Sequence, residues 1–375
     1  PEDMARIVER IEPAIQRIQS LDDRGLMPTF YELATAIAFV YFHECKVEVA
    51  VLEVGLGGRL DAVNIVEPDV SVITPVSLDH MDVLGHTVAE IAEEKAGIIK
   101  TGRRVISAPQ PPEAMEVISR VAYGRRARLD VVSGGVYVST SHLPEVIADE
   151  EGVPAYQVFT LAYDALENAP AGKIRVKLPL LGSHQQVNAA VALSAVRTLS
   201  VAGVGADRKA IAKGFEKVEW PGRLEVIKRD PLVIVDGAHN ADSMAKLMQA
   251  MYDLFERRKL IVVFGTMRDK DIEGIVEELG TGPGNMLGPR IEKVIVTRSQ
   301  SPRAANPETV AGMAAGRGLY VEIRDQVSEA LATAVGIARA ASTGSEEDPI
   351  VLVTGSLFIV AEARQHYGLA PERET

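Results

Sequence analysis

Five short, almost unbroken aliphatic runs punctuate the last third of the chain: LVIVD (232 to 236), LIVVF (260 to 264), KVIVT (293 to 297), LYVEI (319 to 323) and IVLVT (350 to 354). Each is followed by a stretch with helical spacing. A strand that is apolar on both faces has to be covered on both faces, so the pattern predicts a parallel sheet sandwiched between helices. An α/β domain is expected from about residue 223 to the end.

At 375 residues the chain is too long for one ordinary core, and the part before residue 223 reads differently. Apolar residues recur at helical spacing over 4 to 19 and 30 to 44, with Pro28-Thr29 as a start signal for the second helix. Two strand-like runs follow, VEVAVLEV (47 to 54) and VSVITPV (70 to 76). In HTVAEIAEEKAGIIK, Thr87 and Glu90 make a capping-box pair and Gly97 marks a stop. Beyond about residue 125, VYVST, YQVFTLAY and KIRVKLPL alternate with period two, which predicts a small antiparallel sheet. Helices are expected over 184 to 202 and 207 to 217. WPGRLEV (220 to 226) then opens on a Trp-Pro-Gly turn suited to a hinge.

Bulk properties narrow the partners. The chain has 40 basic and 52 acidic residues and a net charge of -12, which argues against nucleic acid or an anionic membrane as the main partner. A single cysteine, Cys45, excludes an intramolecular disulfide framework and fits a reduced, cytoplasmic setting. No run of 18 or more apolar residues occurs, and PEDMARIVER lacks the pattern of a signal peptide. A soluble protein is expected.

Ligands in open α/β sheets gather at the carboxyl ends of strands, and several chemistry-bearing residues fall at such ends. Glu53 ends an apolar run just before Gly55, Gly57 and Gly58, where a carboxylate needs a cation or donors unless it is simply wet. Asp79 and His80 close the next run. On the helix from Val88 the inward stripe Val88, Ile91, Ala92 and Ile99 includes Lys95. That lysine either satisfies carbonyls in the last turn or, with its pKa lowered by burial, forms a carbamate that joins Glu53 and His80 around a divalent cation. Oxygen and imidazole donors would suit magnesium or manganese. In VIVDGAHN, Asp236 could bind ribose hydroxyls or cap the following helix, and Gly237, His239 and Asn240 follow it. Arg223 could reach a phosphate from the hinge or lie free on the surface, and Asn188 could read an adenine edge or be solvated. GTMRDK (265 to 270) and TGS (354 to 356) are further strand-end loops on the same side.

Read in order, EVGLGGRLDAVN, SLDHMDVLG, EEKAGIIK, GSHQQVNAA, WPGRLEV, VDGAHN, FGTMRDKD and VTGSL resemble the folylpolyglutamate synthase and dihydrofolate synthase family of Mur-type ADP-forming amide ligases. The resemblance implies a P-loop-NTPase-like ATPase domain with a small antiparallel sheet over residues 1–222, and a Rossmann-like glutamate ligase domain over 223–375. It implies ATP and Mg2+ as cofactors, with Glu53, His80 and a carbamylated Lys95 on the metal. Asn188, Arg223 and Asp236 would contact ATP, His239 would lie near the reacting phosphate, and Ser356 would serve the glutamate side. Substrates would be L-glutamate and either a folate or dihydropteroate, handled by a cytoplasmic monomer. One departure stands out: the family's glycine-rich phosphate loop, G-x-x-x-x-G-K-[ST], does not occur in these 375 residues. The expectation is that this loop, and part of the pterin-binding loop, lie upstream of Pro1, and that residues 1–375 alone are not a competent ligase. Rival readings are a cell-wall peptide ligase of the Mur type and a nucleotide-binding module without catalysis. A dinucleotide oxidoreductase fits less well, because Leu60 stands where the third glycine of a G-x-G-x-x-G would fall.

Overall fold

The protein was analysed as a computed structural model, which describes residues 2–21, 27–132, 135–139, 144–167, 170–201, 203–255, 258–281, 290–345 and 347–369. Helices α1 (Glu2–Leu21) and α2 (Phe30–Glu44) come first, and Thr29 opens α2 with a reciprocal capping box to Glu32. Strands β1 (Val70–Ile73), β2 (Arg104–Ser107) and β3 (Arg128–Val131) form a parallel sheet in that order. Between them run the short α3 (Met81–Leu84), α4 (Val88–Ala96) and α5 (Pro112–Gly124). The sequence reading found α4, with its Thr87–Glu90 box, but not β2, α5 or β3.

An antiparallel sheet follows, built from β4 (Val136–Val138), β5 (Glu145–Ala148), β6 (Pro154–Tyr163) and β7 (Gly172–Leu178), with β6 at its centre. Helices α6 (Ser183–Val201) and α7 (Arg208–Glu216) complete this first unit. Two cores hold it. Ile91, Ala96, Ile99, Val105 and Ile118 pack between α4, α5 and the parallel sheet. Ile106, Leu161, Val176 and Leu193 join that sheet to α6 and the antiparallel sheet.

The second unit contains β8 (Glu225–Arg229), β9 (Leu232–Val235), β10 (Leu260–Phe264), β11 (Ile291–Val296), β12 (Val321–Ile323) and β13 (Ile350–Thr354), in the order β12-β11-β10-β13-β9-β8. All neighbours are parallel except the β8–β9 hairpin, so the expected parallel sheet gains an antiparallel edge. Helices α8 (Ala241–Phe255), α9 (Ile272–Thr281) and α10 (Pro307–Gly316) cover one face. The other face is covered by α11 (Val327–Ala341) and α12 (Leu357–His366). Coverage on both sides explains why every residue of β9, β10 and β13 is buried.

One strand reading fails. VEVAVLEV (47 to 54) is irregular, and Val47, Val49 and Val51 are exposed, Val51 at 93%. Strand propensity stabilises a strand through its neighbours, and β1 ends its sheet without pairing to this run. Glu53 is consequently an exposed residue on an irregular segment rather than a carboxylate at a buried strand end.

Among the described residues the two units meet at several places, of which three stand out. Leu181, just before α6, is buried in the second unit's core among Leu232, Ile234 and Met251. Arg229 at the end of β8 pairs with Asp149 at 2.6 Å and Glu151 at 3.1 Å in the β5–β6 turn. The third is a cluster of polar side chains around Asp79.

Candidate active site

Asp79 and His80 follow β1, and they face the loops after β9 and β10 of the second unit. The Asp79 carboxylate accepts from Lys270 Nζ at 2.6 Å and from Asn240 Nδ2 at 3.1 Å, and His239 Nε2 lies 3.6 Å away. Its Oδ1 also accepts from the His80 amide at 2.9 Å, which fixes the carboxylate against its own backbone. Burial alone would push the Asp79 carboxyl up, but the bonds from His239, Lys270 and Asn240 outweigh it and hold the group well below the usual carboxylate range. His80 has left-handed backbone angles, φ 51° and ψ 41°, at the start of α3. Only a residue held by its surroundings adopts these angles without being glycine. Burial pushes the His80 imidazole pKa down against the pull of Asp79, so the ring is neutral near pH 7.

Lys95 sits in the last turn of α4, half-buried, as the apolar stripe of that helix predicts. Burial lowers its pKa, opposed by the charge of Asp79. A lowered ammonium pKa is the condition for reaction with carbon dioxide. Glu53 is exposed, and among the described residues no three His, Cys, Asp or Glu side chains gather as a metal site. Of the expected donors Glu53, His80 and Lys95, His80 presents its Nε2 to Lys270 Nζ at 3.2 Å, so it does not fit a divalent cation while the lysine is there.

The glycine-rich segment after Glu53 is organised by Asp61. Asp61 accepts from the amides of Gly55 (3.0 Å), Leu56 (2.9 Å) and Val63 (2.9 Å), folding GLGGRLD into a compact loop. The loop is pinned to the end of α4 by Arg59 N to Glu94 O at 2.8 Å and by the Arg59–Glu94 ion pair at 2.9 Å. Gly97 has to be glycine here, since a Cβ would stand 2.4 Å from the Arg59 Cα.

The hinge and the strand end after β9 form one hydrogen-bonded body. Asp236 accepts from the amides of Leu224 (3.0 Å) and Ala238 (2.9 Å), and Gly237 N donates to Gly222 O at 2.9 Å. Arg223 lies against Gly237, whose added Cβ would meet its Nη1 at 2.9 Å. Burial pushes the Asp236 carboxyl up against the pull of these amides and of Arg223. Asp236 is not the cap of α8. Asn240 takes that place, accepting from Ser243 N at 2.8 Å. His239 Nδ1 lies 2.8 Å from Gly237 O, which leaves Nε2 turned toward Asp79. Asn188 is exposed on α6 and bonds Gln185 at 3.0 Å. Ser356 is buried and caps α12 by accepting from Phe358 N at 3.1 Å.

The structure thus brings together His80 and His239 from the expected set, and joins Arg223 and Asp236 at the hinge. The residues that link the two groups, Asp79, Asn240 and Lys270, stand inside the motifs but were not assigned roles. No spacing rule announces a contact across 191 positions in the chain, as between Asp79 and Lys270.

The two α/β units, whose polar groups converge at strand ends, carry the two domains of the Mur-type ligase class. Residues 28–196 match the Mur ligase middle domain, and residues 222–357 match the Mur ligase glutamate ligase domain. The dihydrofolate synthase/folylpolyglutamate synthase of Mycobacterium tuberculosis is 33% identical over 389 residues, covering 96% of this chain and 74% of that protein. The crystal structure of M. tuberculosis folylpolyglutamate synthase complexed with ADP and AMPPCP superposes with a TM-score of 0.86 at 31% identity, covering 99% of this chain and 80% of that one. The dihydrofolate synthase/folylpolyglutamate synthase of Bacillus subtilis is 36% identical over 282 residues, 75% of this chain, and the match spans 62% of that protein's length. The chain belongs to the folylpolyglutamate synthase/dihydrofolate synthase family.

Proposed function

We propose that the protein ligates L-glutamate to the γ-carboxylate of a folate at the expense of ATP, with dihydropteroate as a second acceptor. The observation that carries this reading is the convergence of Asp79 and His80 with His239, Asn240 and Lys270 in a chain of this family. A reaction that joins a phosphorylated acid to an amine needs groups from both sides of a cleft, and excludes water when the cleft shuts.

In this reading a carboxylate oxygen of the acceptor attacks the γ-phosphorus, ADP leaves, and an acyl phosphate forms. The amine of glutamate then attacks the carbonyl carbon. Phosphate departs with the oxygen that it gained, and the amine gives up a proton. Residues 1–222 form the ATPase domain and 223–375 the glutamate ligase domain. Arg223 neutralises phosphate charge, Asp236 orients the nucleotide with Asn188, and His239 Nε2 faces the reacting phosphate. Ser356 shapes the glutamate side through its cap on α12. Glu53, His80 and carbamylated Lys95 are the donors for magnesium in this reading. No step is assigned to the metal.

Protein expressed from the whole open reading frame, given ATP, magnesium and glutamate, should release ADP and phosphate in step with a γ-glutamyl product from tetrahydrofolate or with dihydrofolate from dihydropteroate. Arg223→Ala should raise the KM for ATP by at least about tenfold, the loss of a charge-assisted bond of roughly 1.5 to 3 kcal/mol. Formation of AMP, or product only from cell-wall precursors, contradicts the reading.

A further inference from the structure

Lys270 is nearly covered, with 8% of its side chain exposed, yet it lies in a loop of the second unit and spends its charge on the first. Its Nζ is 2.6 Å from Asp79 Oδ1 and 3.2 Å from His80 Nε2. An ammonium has only donors, so the Nε2 lone pair of His80 points at Lys270. That lone pair is the one with which the imidazole would bind a metal ion. The other Asp79 oxygen is taken by Asn240 at 3.1 Å. The carboxylate and imidazole that follow β1 are thus already engaged by a cation that the chain itself supplies. Further charged or titratable neighbours are His239, 3.6 Å from Asp79, Lys95, which feels Asp79, and Asp269, which is engaged by Arg303 at 2.7 Å.

We propose that the Lys270 ammonium is a tethered stand-in for a divalent cation: it bridges the units by occupying Asp79 and His80, and metal binding at His80 requires it to leave. The two states exclude each other because the single Nε2 lone pair of His80 cannot serve the ammonium and a metal ion at once, and because the two cations repel at this distance. Occupation of the site by metal therefore frees the loop after β10 from the first unit. Lys270 accounts for the His80 part of the disagreement with the expected donor set, while Glu53 lies exposed on its irregular segment. The proposal rests on the reading that His80 belongs to a metal site, so its test has to separate the two.

Manganese is the probe, with the free ion read by electron paramagnetic resonance and no turnover required. Lys270→Met should bind Mn2+ at least about tenfold more tightly than the unaltered protein, the effect of removing a like charge at contact distance. Lys270→Arg, which keeps the charge, should stay within about threefold. His80→Ala in the Lys270→Met background should abolish the gain. Equal affinity of Lys270→Met and the unaltered protein, with His80→Ala weakening both, would overturn the stand-in role while leaving the metal site in place. Binding unaffected by His80→Ala in either background would instead overturn the metal reading and the proposal with it. A second measurement needs no variant: saturating Mn2+ should increase acylation of Lys270 by an amine-reactive reagent, read by mass spectrometry. Unchanged labelling of Lys270 contradicts the proposal.

Discussion

His184 illustrates how a single residue reports on the joint between the units. It lies in the first turn of α6, and burial, reinforced by the charges of Lys246 and Arg223 across the joint, pushes its pKa down to about 4. An unfolded histidine titrates near 6.5, so between these values the unfolded chain binds the extra proton. The contribution of His184 to stability is therefore constant above pH 7 and declines as the pH falls from about 6.5 toward 4, by up to about 1.4 kcal/mol per pH unit. Urea melts at several pH values should show the unaltered protein losing stability relative to His184→Gln in that window. Parallel curves would mean that the imidazole is not held neutral. At this scale the sequence was informative about residue type and poor about partners. Lys95 on an apolar stripe and Arg223 at a hinge were legible from spacing alone, whereas Asp61 and Lys270 were not, because their roles come from what the fold brings to them.

Elements were legible where one chemical signal was sufficient. The capping boxes at Thr29 and Thr87 and the buried strands β9, β10 and β13 carry their own instructions. The run 47 to 54 has a strand composition but no paired neighbour, and composition cannot supply one. β2 and β3 are only four residues each and lack a distinguishing period. The seat of the GLGGR loop on α4 belongs to this scale and can be tested there. Gly97→Ala places a Cβ 2.4 Å from the Arg59 Cα, a backbone atom that cannot simply rotate away. It should cost about 1 to 3 kcal/mol, read as a lower urea midpoint with an unchanged slope. Gly124→Ala, at the end of α5 with open space around it, should stay within about 1 kcal/mol of the parent. Equal effects from the two substitutions would show that the loop is not seated as described.

For the whole molecule, what counts is that two separately built units meet through Leu181, Arg229 and Asp79. The alternation of strands and helices made the second unit legible, and the ordered motifs made the family legible. The way the units face each other was not, since contacts such as Asp79–Lys270 leave no local pattern in the chain. Among the described residues no helix is long and apolar enough to cross a membrane. The account's central claim is that this joint carries out carboxylate activation by phosphoryl transfer from ATP, followed by amine attack. The direct measurement uses an acceptor whose γ-carboxylate is labelled with oxygen-18, given to protein expressed from the whole open reading frame with ATP and glutamate. An acyl phosphate intermediate predicts one labelled oxygen in the released inorganic phosphate for each glutamate ligated. Label found in AMP, or phosphate released without label while product forms, would contradict it.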